Sequence, residues 1–515
     1  MIDLEKLTIF LLEKGFVYTF CKNLPNYISS FSGSIKTEKY GLVPIILYFD
    51  TRIDDFPRAQ LGIEIQNTFE PFHNPHIEKN FFICYKDNSV VFDKNQIDES
   101  MDFVFSQIKH VLDDYEKDDM TEILKEWKSY WYGESTYYIT CETIPTTLQF
   151  RNKFVYETRD IDFPEIKVFK IPEIPSIKGC PWPIENISAL FDWIKNDSQK
   201  KEIELYIKRN IKYKIKTSTI AFYSEKEKMM FAISFIFSDS LFNIKKHHLN
   251  NSSVDFIYKS KATVQRFWID IINNQTLQQS NVNPNYLSLE DKKITLIGAG
   301  TIGSNLAQIL IRLGAGSLQN KPLVIVDNDS YEPENFTRHV LPFESFGKSK
   351  AIELVNYLRW LNPLLEINGE VESVYNYDLD NTDFIIDATG EDCVTNYLNS
   401  VHFDKKNNSV LIISWVHVDG LYVSSLIIPG KNCVDYTTVY KNQLANTSSD
   451  RTTLPRRNSC SSIYVPFPIM LSQYAALLTT NCILDYMNNK INKTTLYTQN
   501  TQTGEIEIKY FELTE

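Results

Sequence analysis

The chain has 515 residues, 43% hydrophobic and 23% charged, which is typical of a globular protein with about two to four domains. Its 53 basic and 65 acidic residues give a formal charge of -12, which argues against a general nucleic-acid binder. No apolar run predicts a membrane span, and the acidic start does not predict a signal peptide. The eight cysteines form no C-x-x-C pair, so we expect a reducing cytoplasmic setting and no disulfide framework.

Residues 1 to about 135 predict an α+β domain. Apolar residues at helical spacing indicate helices over 4–16 and 98–115, and two apolar runs indicate strands over 40–49 and 61–65. Cys84 ends a further apolar run, 81–83, where an ordinary buried cysteine is the usual occupant.

The surroundings of Cys84 resemble the active-site segment of ubiquitin-conjugating enzymes. In that family a His-Pro-Asn tripeptide precedes the cysteine and an aromatic residue follows it; here these are Asn74-Pro75-His76 and Phe92, with Phe56-Pro57 upstream also fitting. The resemblance implies that Cys84 accepts an acyl group as a thioester. His76 stands where the family has an asparagine that supports the oxyanion, and it can donate a hydrogen bond there instead. A structural cysteine or a degenerate site is the alternative.

Residues 136 to 285 predict a small α+β linker domain. Prolines between 156 and 183 indicate an extended connector, and the pattern beyond them indicates helices over 185–193 and 200–211. Strands are expected over 217–223 and 229–237. Arg266 is expected on a helix, and the region carries no other candidate for chemistry.

The stretch from residue 292 to 363 organises the C-terminal part, residues 286 to 515. A buried strand, 294–297, is followed by Gly298, Gly300 and Gly303 at G-x-G-x-x-G spacing and then by a helix over 305–313. Gly298 allows a tight turn, Gly300 lets the backbone approach a phosphate, and Gly303 lets the helix pack close to the strand. This layout binds a nucleotide phosphate at a helix N-terminus.

The next strand, 323–326, ends at Asp327, and Asn335, Arg338 and Lys350 follow. Asp327 suits the hydroxyl pair of a ribose, while Arg338 and Lys350 suit phosphates. A nicotinamide-dependent oxidoreductase does not need this number of cations, so they argue for chemistry at phosphorus, where charge develops in the transition state.

These residues resemble the adenylating domain of the ThiF, MoeB and ubiquitin-activating enzymes. The matching motifs are G-A-G-T-I-G at 298–303, Asp327, N-F-T-R at 335–338 and G-K-S-K at 347–350. The resemblance implies a Rossmann-like α/β domain that binds ATP and magnesium, adenylates a protein C-terminus and forms a homodimer, in which an arginine such as Arg266 reaches the partner's ATP.

The same resemblance raises the question of the metal ligands. The family's second acid near magnesium is replaced here by Gly390, which leaves Asp387, Glu391 or Asp392 to supply the carboxylate. The second cysteine of the family's zinc motif after Cys433 is missing, so no zinc is expected.

Further cysteines lie towards the C-terminus. Cys460 follows Arg456 and Arg457 and precedes a helix expected over 466–487, and both features favour a thiolate. By resemblance to activating enzymes, Cys460 takes the adenylated C-terminus as a thioester, with Cys433 as the second candidate. We expect Cys393 and Cys482 to be buried. Strands over 409–415 and 420–428 and a hairpin around 503–504 complete the domain.

The order of the three regions is similar to that of the activating-conjugating fusion enzymes of bacterial antiviral CBASS operons. The resemblance implies that a cGAS-like nucleotidyltransferase or a ubiquitin-like protein is joined through its C-terminus to a target amine, without a nucleic-acid or membrane partner. Three alternatives stay open: a sulfur-carrier adenylyltransferase in which Cys84 is idle, the nicotinamide-dependent oxidoreductase that Arg338 and Lys350 disfavour, and a binding scaffold with a degenerate nucleotide site, as Gly390 suggests.

Overall fold

A computed structural model describes residues 4–19, 27–50, 56–85, 92–93, 95–131, 135–141, 143–151, 154–157, 166–243, 249–279, 287–404, 409–417, 420–441, 456–457, 463–464 and 467–513. The chain divides into two compact units, residues 1–272 and 273–515. None of the described helices combines the length and the apolar content that a membrane span requires. The domain boundaries predicted near residues 135 and 285 stay predictions.

The N-terminal unit begins with a five-stranded antiparallel sheet in the order β1-β2-β3-β4-β5. The elements of the whole unit run in chain order over α1 Leu4–Glu13, β1 Val17–Thr19, β2 Tyr27–Thr37, β3 Gly41–Asp50, β4 Arg58–Leu61, β5 Phe82–Ile83, α2 Ile97–Asp114, α3 Met120–Lys125, α4 Trp127–Trp131, β6 Ser135–Thr140, β7 Thr147–Arg151, β8 Phe154–Glu157, β9 Ile166–Ile171, α5 Ile187–Trp193, α6 Asp197–Lys212, β10 Thr217–Ser224, β11 Met230–Ile236, α7 Asn251–Lys259 and β12 Thr263–Ile272.

One face of the five-stranded sheet buries its apolar side chains under α1 and α2. Val104 and Ile108 of α2 lie in the same apolar cluster as Phe31 and Leu47 of the sheet. The helices predicted over 4–16 and 98–115 are confirmed to within a few residues, whereas the strand predicted over 61–65 lies earlier, as β4. The pairing of β5 with β4 in this sheet therefore fixes the position of the end of β5 and of Cys84, the residue that follows it.

The second half of this unit contains a closed barrel in the order β10-β11-β12-β6-β8-β7-β9. Aromatic rings pack between its strands and α4: Trp131 of α4 lies 4.5 Å from Phe231 of β11, centroid to centroid, and its indole N–H donates to the Phe267 carbonyl at 3.1 Å. The prediction of a helix at Arg266 is wrong. Arg266 belongs to β12, opposite Ile233 of β11, because the run from Thr263 to Ile272 is rich in β-branched and aromatic residues.

The C-terminal unit is built on an eight-stranded sheet in the order β15-β14-β13-β16-β17-β18-β21-β22. Its elements run over α8 Asn274–Gln279, β13 Ile294–Ile297, α9 Thr301–Arg312, β14 Leu323–Val326, α10 Lys350–Leu361, β15 Ile367–Glu370, β16 Phe384–Asp387, α11 Asp392–Asp404, β17 Val410–Val416, β18 Tyr422–Ile428, α12 Tyr436–Val439, β19 Arg456–Arg457, β20 Ile463–Tyr464, α13 Ile469–Met487, β21 Thr494–Asn500 and β22 Ile506–Phe511.

Five neighbouring strands of this sheet are parallel: β15, β14, β13, β16 and β17. The pairs β17–β18, β18–β21 and β21–β22 are antiparallel. The order reverses on either side of β13, which pairs with β14 on one edge and with β16 on the other. In open α/β sheets the ligand crevice lies at the carboxyl ends of the strands at such a switch point. The predicted Rossmann-like class is confirmed, and the carboxyl end of β13 is the expected position of its ligand-binding site.

Candidate functional sites

The glycine turn after β13 has the backbone that its spacing predicts. Gly298 has a φ of 92° and its N–H donates to the Val326 carbonyl at 2.9 Å. A Cβ added at Gly303 would lie 1.9 Å from the Gly298 carbonyl oxygen, whereas one added at Gly300 would meet nothing within 4 Å. Gly303 is thus required for packing, and Gly300 leaves open space where α9 begins.

Asp327 connects the end of β14 to this turn. Its Oδ2 accepts a hydrogen bond from the Ala299 N–H at 2.6 Å, and its Oδ1 accepts one from the Asp329 N–H at 2.7 Å. Burial raises the pKa of this carboxyl group, while the two backbone donors and Lys350 oppose the rise. Asp327 therefore holds the turn in place, and its contact with a ribose stays a prediction.

His339 fixes the same turn from the other side, and sequence reasoning missed it. Its Nδ1 accepts from the Leu341 N–H at 3.1 Å, so the Nε2–H donates to the Ala299 carbonyl at 2.6 Å. Burial lowers the pKa of His339 to about 4, which keeps the ring neutral at pH 7. The one signal in the sequence is its position beside Arg338 in the N-F-T-R motif.

Replacing His339 by glutamine is expected to remove a pH dependence from the stability of the C-terminal unit. Because the native pKa is about 4 and the unfolded one is about 6.5, the unfolded state binds the extra proton between these values. The stability contributed by the neutral ring is therefore complete above pH 6.5 and is lost as the pH falls towards 4. Between pH 7.5 and pH 5, the free energy of unfolding should therefore fall by about 2 kcal/mol more in wild type than in the variant.

Urea unfolding at pH 7.5 and pH 5 measures this difference. A second buried histidine among the described residues, His402, also has its pKa lowered to about 4; it is present in both proteins and cancels in the comparison. Equal pH dependence in wild type and variant would show that the His339 ring does not stay neutral in the folded state.

The two predicted phosphate-binding cations are both buried near the turn. Lys350 opens α10, and its Nζ donates to Asp329 Oδ2 at 2.9 Å. The guanidinium of Arg338 lies over the Phe467 ring at 4.5 Å. The backbone carbonyl of Arg338 accepts a hydrogen bond from the Asn305 side chain of α9 at 3.2 Å. Both residues are at most 8% exposed, which is unusual for lysine and arginine without a dedicated role.

The motif around these cations also explains two neighbouring residues. Asn335 accepts a hydrogen bond from the Glu332 N–H at 3.0 Å, so it caps the short turn that leads to Arg338. Lys348, by contrast, is exposed and lies 3.4 Å from Glu353. The structure therefore distinguishes the two lysines of the G-K-S-K motif, and Lys350 is the one that faces the buried cluster.

Asp387, the predicted magnesium ligand, ends β16 next to the turn and is fully buried. Its Oδ1 accepts from the Thr389 N–H and hydroxyl at 3.0 and 2.7 Å, and its Oδ2 accepts from the Thr395 hydroxyl at 2.6 Å. Burial raises the pKa of its carboxyl group. Glu391 is exposed. The two acids do not present a pair of free carboxylates, so magnesium binding stays a prediction and no step below depends on it.

In the N-terminal unit, Cys84 follows β5 and is exposed. Its N–H donates to the carbonyl of His76 at 2.8 Å, so the segment that resembles the conjugating-enzyme tripeptide lies directly beside it. Phe92 packs edge-to-face on Phe56 with centroids 5.3 Å apart, which brings those two motif residues together in the core. Partial burial and the carboxylates of Glu126 and Glu78 raise the pKa of the Cys84 thiol.

His76 is held in a left-handed backbone conformation, with a φ of 61°. Its N–H donates to the Tyr130 hydroxyl at 2.7 Å, and its ring lies 4.7 Å from that of Tyr115. The ring nitrogens lie near two carboxylates: Nδ1 is 3.5 Å from Glu126 and Nε2 is 3.9 Å from Glu122. Sequence reasoning missed both glutamates, because they lie more than forty residues downstream, on and after α3.

The remaining cysteines are placed as follows. Cys460 lies outside the described residues, while the preceding Arg456 and Arg457 form a two-residue strand paired with Ile463–Tyr464. Cys482 is buried, as predicted. The prediction for Cys393 is wrong: it is exposed, because as the second residue of α11 its side chain faces solvent, 3.8 Å from Glu391.

The strand order and the glycine turn at the carboxyl end of β13 define a Rossmann-like α/β domain. Residues 273–513 match the model of the ThiF family, so the C-terminal half of the chain is a ThiF-family domain.

Curated relatives extend the similarity beyond this domain. The chain is 25% identical to an Escherichia coli protein named ATP-dependent ubiquitin transferase-like protein Cap2, over 94% of this chain and 93% of the relative. A Pseudomonas aeruginosa protein of the same name is 32% identical over 42% of this chain, and the alignment spans only 40% of that relative. Ubiquitin-like modifier-activating enzyme 5 of Drosophila simulans is 31% identical over 20% of this chain and 25% of the relative.

Proposed function

We propose that the protein uses ATP to adenylate the C-terminus of a partner protein, carries the acyl group as a thioester on Cys460 and then on Cys84, and transfers it to a target amine. The observation that carries the proposal is the combination, in one chain, of a ThiF-family domain and an exposed cysteine beside a segment like that of conjugating enzymes. Similarity to the Escherichia coli Cap2 protein along nearly the whole chain supports it.

In the first step a carboxylate oxygen of the partner attacks the α-phosphorus of ATP, and the bond to the leaving pyrophosphate breaks. The open space at Gly300 and the N-terminus of α9 suit a phosphate. Lys350 and Arg338 would stabilise the negative charge that develops on the phosphate oxygens, and their burial strengthens that effect. Asp327 and His339 keep the turn in position by holding Ala299.

The following steps divide one acyl transfer into easier ones. The Cys460 thiolate attacks the acyl carbon and releases AMP, and the Cys84 sulfur then attacks the new thioester and releases Cys460. An amine finally attacks the thioester on Cys84, the bond between the acyl carbon and the Cys84 sulfur breaks, and an amide and the free Cys84 thiol result.

We further propose that the partner is a cGAS-like nucleotidyltransferase or a ubiquitin-like protein of a bacterial, CBASS-type antiviral system, and that the enzyme acts as a homodimer. The similarity to two proteins with the name Cap2 supports the assignment to a ubiquitin-like transfer.

A thioester assay tests this function. The protein is incubated with ATP and the products of neighbouring genes, and adducts are separated with and without reducing agent. We expect an adduct that reducing agent releases. It should persist on Cys460 in a Cys84→Ser variant and be absent from a Cys460→Ser variant. Adenylate without an adduct in any variant would indicate sulfur-carrier chemistry and overturn the relay.

A further inference from the structure

The structure places a histidine and a carboxylate near the Cys84 thiol. The Cys84 Sγ, a ring nitrogen of His76 and a carboxylate oxygen of Glu126 all lie within 4.8 Å of one another. Glu126 Oε2 is 3.5 Å from His76 Nδ1. A nucleophile, a base and a group that orients the base, in this order, form the arrangement used to activate weak nucleophiles.

The second ring nitrogen of His76 is available for a proton. Nε2 is buried and makes no hydrogen bond to any residue that the structure describes, and a carboxylate oxygen of Glu122 is 3.9 Å away. The backbone of the residue is fixed by the Tyr130 hydroxyl and by the N–H of Cys84. The ring is therefore held near the thiol, with Nδ1 towards Glu126 and with Nε2 lacking a hydrogen-bond partner in the described part of the chain.

The thiol needs such a base. Partial burial and the carboxylates of Glu126 and Glu78 disfavour the thiolate of Cys84, so at neutral pH the sulfur would keep its proton if it acted alone. Among the residues that the structure describes, no lysine or arginine lowers the pKa of this thiol.

We propose that His76 is the general base of this site and that Glu126 is the positioning residue that orients its imidazole. The inference rests on the proposed function, because it concerns the thioester chemistry of Cys84. In transthioesterification the S–H bond of Cys84 breaks, its proton moves to His76, and the sulfur electron pair attacks the incoming thioester. The imidazolium then returns the proton to the leaving thiolate of the donor cysteine. In the final step His76 accepts the proton of the attacking amine, and Cys84 leaves.

Alkylation of Cys84 by iodoacetamide as a function of pH tests the proposal without ATP or a partner. Labelling of the full chain, in buffer with a chelator, is quantified for each cysteine peptide by mass spectrometry. The titratable groups around His76 are Cys84, Glu78, Tyr115, Glu122, Lys125, Glu126 and Tyr130. Wild type and variants share all of them, so a difference between profiles reports the imidazole.

We expect the His76→Gln variant to label at Cys84 at least tenfold more slowly than wild type at pH 7 and to approach the wild-type rate only at high pH. His110→Gln is the matched control, since His110 also contacts Tyr115 but pairs with Asp114 on α2. It should label like wild type. Profiles for His76→Gln and wild type that agree within twofold would overturn the proposal.

Two features keep the test decisive. Cys180 is 5% exposed in the same unit, so its protection from label reports that a variant is folded. If His76→Gln exposes Cys180, His76→Asn takes its place, because the shorter amide fills the same position without a basic nitrogen. The outcome is also separate from that of the proposed function. If Cys84 forms a thioester but the His76→Gln variant is alkylated like wild type, only the role of His76 as a base is refuted. If alkylation depends on His76 but no thioester forms on Cys84, the relay is refuted.

Discussion

Replacing Lys350 by methionine is expected to lower ATP–pyrophosphate exchange by about 10²- to 10³-fold, the usual cost of removing one group that stabilises transition-state charge. The Lys350 side chain is about 10% exposed, and its ammonium lies 2.9 Å from Asp329. Methionine retains most of the buried aliphatic stem but removes the charge, while Asp329, with a side chain 65% exposed, stays solvated. The fold should therefore survive and the exchange reaction should not.

Lys348→Met is the matched control, because it makes the same change two residues away. Lys348 is exposed and pairs with Glu353 at the surface, where an ion pair contributes less than about 1 kcal/mol. We expect its exchange rate to stay within about threefold of wild type, a difference of less than 1 kcal/mol in the barrier. Equal losses in the two variants, with proteins of neighbouring genes as acyl donors, would contradict the role given to Lys350.

Replacing Gly303 by alanine is expected to destabilise the C-terminal unit by about 3 kcal/mol or more, at or above the upper end for overpacking a core. The added Cβ would lie 1.9 Å from the backbone oxygen of Gly298, so the turn itself has to move away from α9. A loss of this size lowers the melting temperature of a unit of this length by roughly 6 to 12 °C. ATP binding should be lost with it.

Gly300→Ala separates packing from ligand approach. Gly300 has a φ of -73°, and a Cβ there meets nothing within 4 Å, so the melting temperature should stay close to that of wild type. ATP affinity should nevertheless fall, because the methyl group occupies the space open to a phosphate. A Gly300→Ala variant that binds ATP normally would show that the phosphate does not approach the turn at this residue.

The sequence predicted the strand-turn-helix-strand unit of the C-terminal half well because its motifs are local. The strand over residues 294–297, the glycine spacing and the acid at Asp327 all lie within one strand-turn-helix-strand unit, where periodicity and turn chemistry determine the backbone. The end of β5 at Cys84 was predictable for the same reason.

Contacts between distant segments could not be predicted in this way. The barrel joins strands over more than one hundred residues, from β6 to β12, and β12 was mistaken for a helix at Arg266. His339 and the Ala299 carbonyl that it contacts are forty residues apart in the sequence, and Glu126 and His76 are fifty residues apart. In both cases a titratable side chain gains its role from a tertiary contact that leaves no periodic pattern in the sequence.

The most direct test of the relay is a stable adduct at residue 84. A Cys84→Lys variant is incubated with ATP and the neighbouring gene products, and covalent adducts are weighed by intact mass spectrometry. The relay predicts an amide between lysine at position 84 and the C-terminus of a partner protein, formed only with ATP and lost when Cys460→Ser is added. ATP-dependent adenylate with no adduct at position 84 would contradict it and leave the N-terminal unit without a role in acyl transfer.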